Sequence, residues 1–381
     1  SPSAGDVVAI ADYANTFDTN NITIARNGSN IQGSAADFKA QIEGLSITLI
    51  YVDGTQGWLS IDAAQASDIS GPQFTIATGG TETISGDYKI HTFTGPGTFC
   101  VSAVGNSPIF PTGGPSNVDY LVVAGGGGGK GHAPGTSSSY AGGGGGAGGY
   151  RESSGAASGC YSRSPLGACV SALPISATGY PITVGAGAAA DNLAPSPGGG
   201  PGTAASGSNS IFSSITSAGG GGGANTTAGP GGSGGGTMNA NPTGQGNTPP
   251  TSPPQGNPGG TMGAFPSRGS SGGGGATVAG TNNPSGNDGS PGGAGATTSI
   301  SASPTAYAGG GGGGGWNGSA KGNGGAGGGG NGGRSSNGVA GSTNTGGGGG
   351  GSGPINVVGG GGVNLGGAGG SGIVIIRYKF Q

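Results

Sequence analysis

Chemistry in this chain would have to come from very few side chains. His91 and His132 are the only imidazoles among 381 residues. A general base needs such a group within hydrogen-bond reach of the proton it takes. His91 lies in the alternating stretch Lys89-Ile90-His91-Thr92-Phe93 and is expected on a sheet surface, while His132 falls in a loop without an acid close in sequence. Glycoside hydrolysis needs two positioned carboxyl groups. Beyond residue 124 the chain supplies only Glu152, Asp191 and Asp288, far apart in sequence. The three cysteines, Cys100, Cys160 and Cys169, have no His or Asp at zinc-ligand spacing. Cys160 and Cys169 stand in a Ser/Gly/Pro-rich stretch and either close one bridge or remain thiols; the odd count argues against a fully paired framework.

Two glycine motifs mimic nucleotide sites. Gly322-Asn323-Gly324-Gly325-Ala326-Gly327 has the dinucleotide-binding spacing, but no strand precedes it and no helix follows. Lys130 follows a glycine run, yet Ala124 stands where a phosphate loop has its first glycine and Gly131 where it has Ser or Thr. No catalytic residue, cofactor or metal site is expected, and the chain reads as a non-enzyme. Lys and Arg nowhere cluster as phosphate neutralisation demands, so nucleic acid is not an expected partner. No apolar run approaches the roughly 20 residues that span a bilayer, and no basic-then-apolar signal peptide opens the chain. What remains is a set of rings among small polar residues: Tyr140, Tyr150, Phe265, Tyr307 and Trp316. Rings offer large contact area at low entropic cost, which suits a sugar or an outer-membrane protein. The competing role is bulky packing that plugs the end of a glycine bundle, favoured for Tyr150 and Trp316, which abut glycines.

The elements that must position these rings come from two materials. Fifteen of 103 glycines precede Gly125, and so do 11 of 14 acidic residues. Residues 1–124 thus resemble ordinary β-rich protein, and the rest does not. In residues 1–62, Val7–Ala11, Ile22–Arg26, Ile47–Val52 and Gly57–Ile61 read as strands. Asn27-Gly28 favours a tight hairpin, Asp53-Gly54 ends the third strand, and 35–43 is the one plausible helical turn. A module of this size buries a marginal core, so oligomerisation is expected to support it. Residues 63–73 read as a linker. Residues 74–77, 89–93, 98–101 and 120–123 are strand-like, and the chain leaves glycine only at Gly372–Phe380. Leu121-Val122-Val123 and Ile373–Ile376 are unbroken apolar runs, as in strands covered on both faces. They are expected to share one sheet of a β-sandwich scaffold made by 74–124 with 372–380, and 180–184 and 211–215 are expected to join that scaffold.

The body, 125–371, contains glycine runs at 125–129, 142–146, 219–223, 272–275, 309–315, 327–330, 346–351 and 359–362. Collagen is excluded because glycine is not every third residue, and calcium-binding nonapeptide repeats because Asp does not recur. Glycine loses more freedom on folding than any other residue, so an ordered run must have its amides paired. Three-fold extended helices of polyproline II type, lacking Cβ atoms, pack side by side and exchange N–H···O=C bonds. The bland alternative is a flexible linker. The bracketing strands and the apolar residues beside several runs favour order. The expected fold is therefore mainly β: an N-terminal β module, a sandwich, and a bundle of polyglycine helices with long loops.

Val118-Asp119-Tyr120-Leu121-Val122-Val123-Ala124 running into Gly125–Gly129, paired with Gly369-Gly370-Ser371-Gly372-Ile373-Val374-Ile375-Ile376-Arg377-Tyr378, resembles the glycine-rich domain of tailed-phage tail-fibre and virion proteins. Tyr180–Gly185, Ser214–Gly219 and the approach Gly86–Thr94 are similar to it as well. The opening, with Gly5-Asp6-Val7-Val8, Asn27–Gly33 and Tyr51-Val52-Asp53 before Gly57-Trp58, resembles a module of marine-phage fibres. These resemblances imply a virion protein of the particle surface, a homotrimer attached to other virion proteins through residues 1–62. Loops on the glycine bundle would bind a bacterial surface receptor or glycan. The alternative is a structural decoration or fibre-shaft protein with no receptor. The Pro/Asn/Thr-rich stretch 237–271 departs from the adhesin pattern and reads as either a tip loop or a spacer. An ice-binding protein is a third reading, against which the irregular loops argue.

Overall fold

The computed structural model describes residues 2–61, 73–106, 113–132, 140–159, 161–191, 202–238, 243–263, 268–283, 286–354 and 363–381. The chain is mainly β, with one 3₁₀ turn at Pro165–Gly167 among the described residues. In the N-terminal region, β1 (Val7–Ala11), β4 (Ser46–Asp53) and β5 (Gly57–Ser60) form an antiparallel sheet in the order β1-β4-β5. Beside it, β2 (Ile22–Ile24) pairs with β3 (Phe38–Ala40). Phe17, Ile31, Phe38, Ala40, Ile47 and Leu49 make the core. Two local expectations fail here. The segment expected as a helical turn at 35–43 contains β3, because Phe38 and Ala40 are buried on either side of half-buried Lys39, a period of two. Asn27 and Gly28 do take left-handed φ of 45° and 87°, but they open a longer loop, since Ile24 pairs with Phe38. Asp53 caps the β4–β5 turn, its carboxylate accepting from the N–H groups of Thr55 (2.8 Å) and Gln56 (2.6 Å).

The sandwich is built from β6 (Ile76–Thr78), β7 (Thr81–Ser85), β8 (Tyr88–Phe93), β9 (Gly97–Ala103), β10 (Asn117–Val123), β11 (Tyr150–Glu152), β12 (Leu173–Pro174), β13 (Gly179–Thr183), β14 (Ser210–Phe212), β15 (Ile215–Ser217) and β18 (Ile373–Lys379); β16 (Ala296–Thr298) and β17 (Thr305–Tyr307) form a separate hairpin. One sheet runs β11-β10-β18-β8-β7 with β12 on β10, and the other β15-β14-β13-β9-β6. The two apolar runs that bracket the glycine body are neighbours, antiparallel, with Leu121 opposite Ile375 and Val123 opposite Ile373. Their sheet is covered on both faces. Val118, Tyr120, Val122, Val374, Ile376 and Tyr378 pack toward the second sheet against Phe99, Ile182 and Phe212. Leu121, Val123, Ile373 and Ile375 face the other way, against Ala147, Ala276, Ile300 and Tyr307. His91, expected at a sheet surface, is fully buried: its Nδ1 lies 2.7 Å from Gly79 O, its Nε2 3.1 Å from Tyr378 Oη, and its ring stacks on Tyr378.

Beyond the strands the chain forms a lattice of extended glycine segments bonded through their backbones. Segment 142–149 lies at its centre. Its N–H groups at 142, 145 and 148 donate to the carbonyls of Ser352, Gly349 and Gly346, each at 2.8 Å. Those at 144 and 147 donate to Ser271 and Gly274, and those at 146 and 149 to Gly221 and Ala218. Its carbonyls at 143 and 146 accept from Lys130 and Gly127, those at 142 and 145 from Gly314 and Gly311, and those at 144 and 147 from Gly236 and Ser233. Six segments thus surround one, and each register repeats every third residue, the period of a three-fold extended chain. Polar backbone groups buried in a body with almost no side-chain core are satisfied this way. Glycine serves close approach here: a Cβ on Gly145 would meet the Gly127 carbonyl, and φ at Gly145 is not left-handed.

Candidate binding surface

The registers give the lattice two ends. At the sheet end, Ala124 N–H donates to Gly149 O and Ala276 N–H to Ala308 O, directly beneath the buried face of β10 and β18. At the far end, Lys130 meets Gly143, Gly142 meets Ser352, and Gly314 meets Gly142. The five rings singled out from the sequence separate accordingly. Tyr150 and Tyr307 sit at the sheet end with 1% and 4% of their surface exposed, so neither presents a ring to a partner; both are packing residues. Burial also makes their phenols harder to ionise. Tyr140 and Trp316 are half-buried at the far end. Phe265 lies outside the described residues.

At the far end, Ala141 N–H donates to Arg268 O (3.0 Å), which sets Tyr140 beside Arg268. The Arg268 guanidinium lies over the Trp316 ring, 4.7 Å from its centre. Trp316 is held by its own N–H to Asn287 O (2.7 Å), and Asn317 and Gly318 follow it in left-handed conformations (φ 49° and 80°). That turn offers Gly318 O to Arg334 Nε at 2.6 Å. Arg334 and Lys321 are exposed, and Asp288, the acid of this surface, accepts from Ala320 N–H. Arg268 and Arg334 were missed in the sequence because a basic residue a few positions from a glycine run carries no motif; only the register brings them together. Lys130 is different: it is buried, its Nζ 2.9 Å from Asp191 Oδ2, which also accepts from Gly131 N–H. Its charge is held by that acid. Nearby His132 has its pKa lowered, by burial first, against a hydrogen bond to the Tyr140 backbone that raises it.

Two acids near the sheet end hold a loop in place. Asp119 is buried and accepts from Ser153 Oγ, Gly155 N, Ala157 N, Ser158 N and Ser158 Oγ. Glu152 accepts from Tyr150 Oη, Ser164 N and Oγ, and Thr298 Oγ1. The two carboxylates hold Ser153–Ser158 and Ser164 against β10 and β11. Burial raises the Glu152 pKa against the lowering effect of those bonds. Cys100 and Cys169 are exposed free thiols, and Cys160 lies outside the described residues. No group of three or more His, Cys, Asp or Glu side chains converges among the described residues, and none of their helices is long and apolar enough to cross a membrane.

A family model for a glycine-rich domain matches residues 101–379, from β9 through the lattice to the end of β18. The chain belongs to the glycine-rich domain family. No curated protein matches it. The matched span of the glycine-rich domain holds the bracketing strands β10 and β18, the glycine lattice and the whole far-end surface.

Proposed function

We propose that this chain is a virion fibre or tip protein of a tailed phage, whose glycine-rich bundle displays loops that bind the bacterial surface. One observation carries the reading. The described residues on either side of 133–139, 192–201, 239–242, 264–267 and 355–362 all lie at the end of the lattice away from the sandwich. At the sheet end two of the connections are hairpins, β14–β15 and β16–β17. The stretch 237–271 shares this division. Gln255 lies at the sheet end, bonding Ala218 N–H and Tyr150 N–H, and 257–260 joins the lattice. A hydrogen-bonded lattice whose connecting segments start and finish at one end suits reversible contacts repeated over several copies, which sum to high avidity. In this reading the three-fold glycine segments are polyglycine helices, and residues 1–62 attach and trimerise the fibre.

The test is adsorption of the purified protein to a panel of bacterial isolates, beside a variant with 192–201 replaced by a Gly/Ser segment of equal length, which keeps Asp191 on the buried Lys130. Binding that the replacement abolishes, with the unfolding midpoint unchanged, supports display. A protein that ignores every isolate yet remains an integral particle component is a decoration or shaft protein instead.

A further inference from the structure

Residues 2–61 are described without a break, and they carry two features that the fold of one chain leaves unused. The first is a pocket of about 200 Å³ at the end where β1 begins, lined by Val8, Ile24, Arg26, Ile31, Leu49 and Trp58 among others. Its floor is the core: Ile31 and Leu49 are buried, while Val8, directly opposite Leu49 in the register, is 42% exposed. Arg26 is the one charged residue of the lining. Asp37 accepts from its backbone N–H (2.8 Å), and its guanidinium has no hydrogen-bond or ion-pair partner among the described residues. The second feature is Tyr13, which lies past the other end of β1 and is 101% exposed, wholly in water. Its loop is anchored. The buried Asp12 accepts from the N–H groups of Thr16 (3.0 Å), Phe17 (3.0 Å) and Gly44 (3.1 Å), and Phe17 is part of the core. A large ring held outward by an anchored loop has little entropy to lose on contact. The exposed acids Asp18 and Glu43 follow Phe17 and precede Gly44, so they share this end. Knob and pocket match in size and chemistry. An apolar cavity of about 150 Å³ takes up benzene, so the pocket has room for a phenol ring. Arg26 supplies a cation for the ring face and for the acids beside Tyr13. Asn27 and Ser29, also in the lining, supply partners for the phenol hydroxyl, which needs one once buried.

We propose that Tyr13 of one copy seats in the Val8–Leu49–Trp58 pocket of a second copy, beside Arg26, so that residues 1–62 join the chains head to tail. This rests on the trimeric fibre reading above and names its contact. Knob and pocket are different surfaces, so the contact is heterologous, and three such contacts close a ring that leaves no knob or pocket empty. One tyrosine buries about 150–250 Å², well short of the roughly 800 Å² per partner in a stable pair. In a ring each copy is held twice, once by its knob and once by its pocket, and the open β1 edge adjoins the pocket through Val8.

The test uses the full chain in two variants, Tyr13→Ala, which removes the knob and keeps the pocket, and Val8→Arg, which fills the pocket and keeps the knob. Light scattering against concentration is expected to show assembly weakened about thirtyfold or more in each, as loss of an interface anchor does. Tyr13→Phe, which keeps the ring, stays within about threefold of the wild type. Immobilised Val8→Arg protein then captures Tyr13→Ala protein one to one, while neither variant captures itself. Wild-type assembly in Tyr13→Ala, self-capture by either variant, or no capture between them in the millimolar range overturns the proposal. A monomeric wild-type chain also overturns it and leaves the pocket to a different protein. Tyr13 is wholly exposed in the single chain, so its removal leaves the circular dichroism spectrum unchanged. Should Val8→Arg unfold, Arg26→Glu, on a half-exposed side chain, takes its place as the pocket variant. Adsorption to isolates by a wild-type protein whose assembly ignores Tyr13→Ala sinks this contact and leaves display standing. Assembly that needs Tyr13, in a protein that adsorbs to no isolate, keeps the contact and sinks display.

Discussion

At Gly145 an added methyl would fall on the carbonyl oxygen of Gly127, with the Gly128 carbonyl carbon only 2.8 Å away. Both are backbone atoms bonded into neighbouring segments, so neither can rotate aside. Gly95 is the useful contrast, with nothing within 4 Å of the same position and no left-handed φ. Overpacking a tight interior costs about 1–3 kcal/mol, and here the lattice has no side chain to yield. Gly145→Ala is expected to lose about 3 kcal/mol in denaturant unfolding, and Gly95→Ala less than about 0.5 kcal/mol. Equal losses would mean that these glycines serve chain freedom rather than close approach. His91 makes a second prediction at this scale. Burial lowers its pKa from 6.5, outweighing the Gly79 carbonyl and Glu82, which favour the charged ring. The folded state therefore resists a proton that the unfolded chain accepts. Stability is full above pH 6.5 and falls as pH drops below it, by at most about 1.4 kcal/mol per unit for one group. Glu152 works with the opposite sign, since its raised pKa lets the folded state keep a proton longer. Unfolding midpoints from pH 7 to 5 should decline, and His91→Gln should flatten part of that slope. An unchanged slope would assign it to His132, whose pKa is lowered as well.

Among the elements, strands were legible wherever apolar residues ran together or alternated. Leu121-Val122-Val123 and Ile373–Ile376 were readable as partners because unbroken apolar runs must be covered on both faces, and they do pair. The helical turn expected at 35–43 failed because nine residues carry too little periodic information to tell a turn from a three-residue strand. The glycine segments are a harder case. Glycine has no side chain to record its neighbour, so that Gly145 pairs with Gly349 and Gly311 was invisible in the sequence. Asp119 was overlooked for a related reason: a lone acid in an apolar strand carries no motif. It clasps the loop after β11 through five donors, three of them backbone N–H groups. Asp119→Ala strands those donors inside the protein, and hydrogen bonds to a charged acceptor are worth about 1.5–3 kcal/mol each way. A loss of about 3 kcal/mol is expected, with amide exchange at Gly155, Ala157 and Ser158 accelerating before that of β10. Exchange in the loop that stays slow would show the loop to be held by other contacts.

At the scale of the whole molecule, the far-end surface was only half legible: Tyr140 and Trp316 could be picked out as rings, but Tyr150 and Tyr307 carry the same sequence signature and are buried. Position in the lattice, not residue type, decides which ring is offered outward. The same reasoning bears on assembly through residues 1–62. Strand β1, Val7–Ala11, lies at the edge of its sheet and carries no charge and no proline. Val7 and Val8 are 57% and 42% exposed, and Ile22, Val52 and Ile61 are exposed in the same region. Edge strands are normally blunted by Lys, Pro or a bulge because an open apolar edge recruits another chain. A region of about 60 residues also buries too little surface to be comfortably stable alone. Under the proposed trimer, copies of this region cover one another's open edges. Light scattering should then give three times the chain mass for the wild type, and Val7→Lys with Val8→Lys should shift it toward one. Val7 and Val8 lie in a sheet apart from those of the sandwich, so the unfolding transition of the sandwich and lattice should survive the double substitution unchanged. A wild-type chain that is already monomeric at tens of micromolar would reassign the exposed edge to a different protein, with β1 as the strand that protein extends.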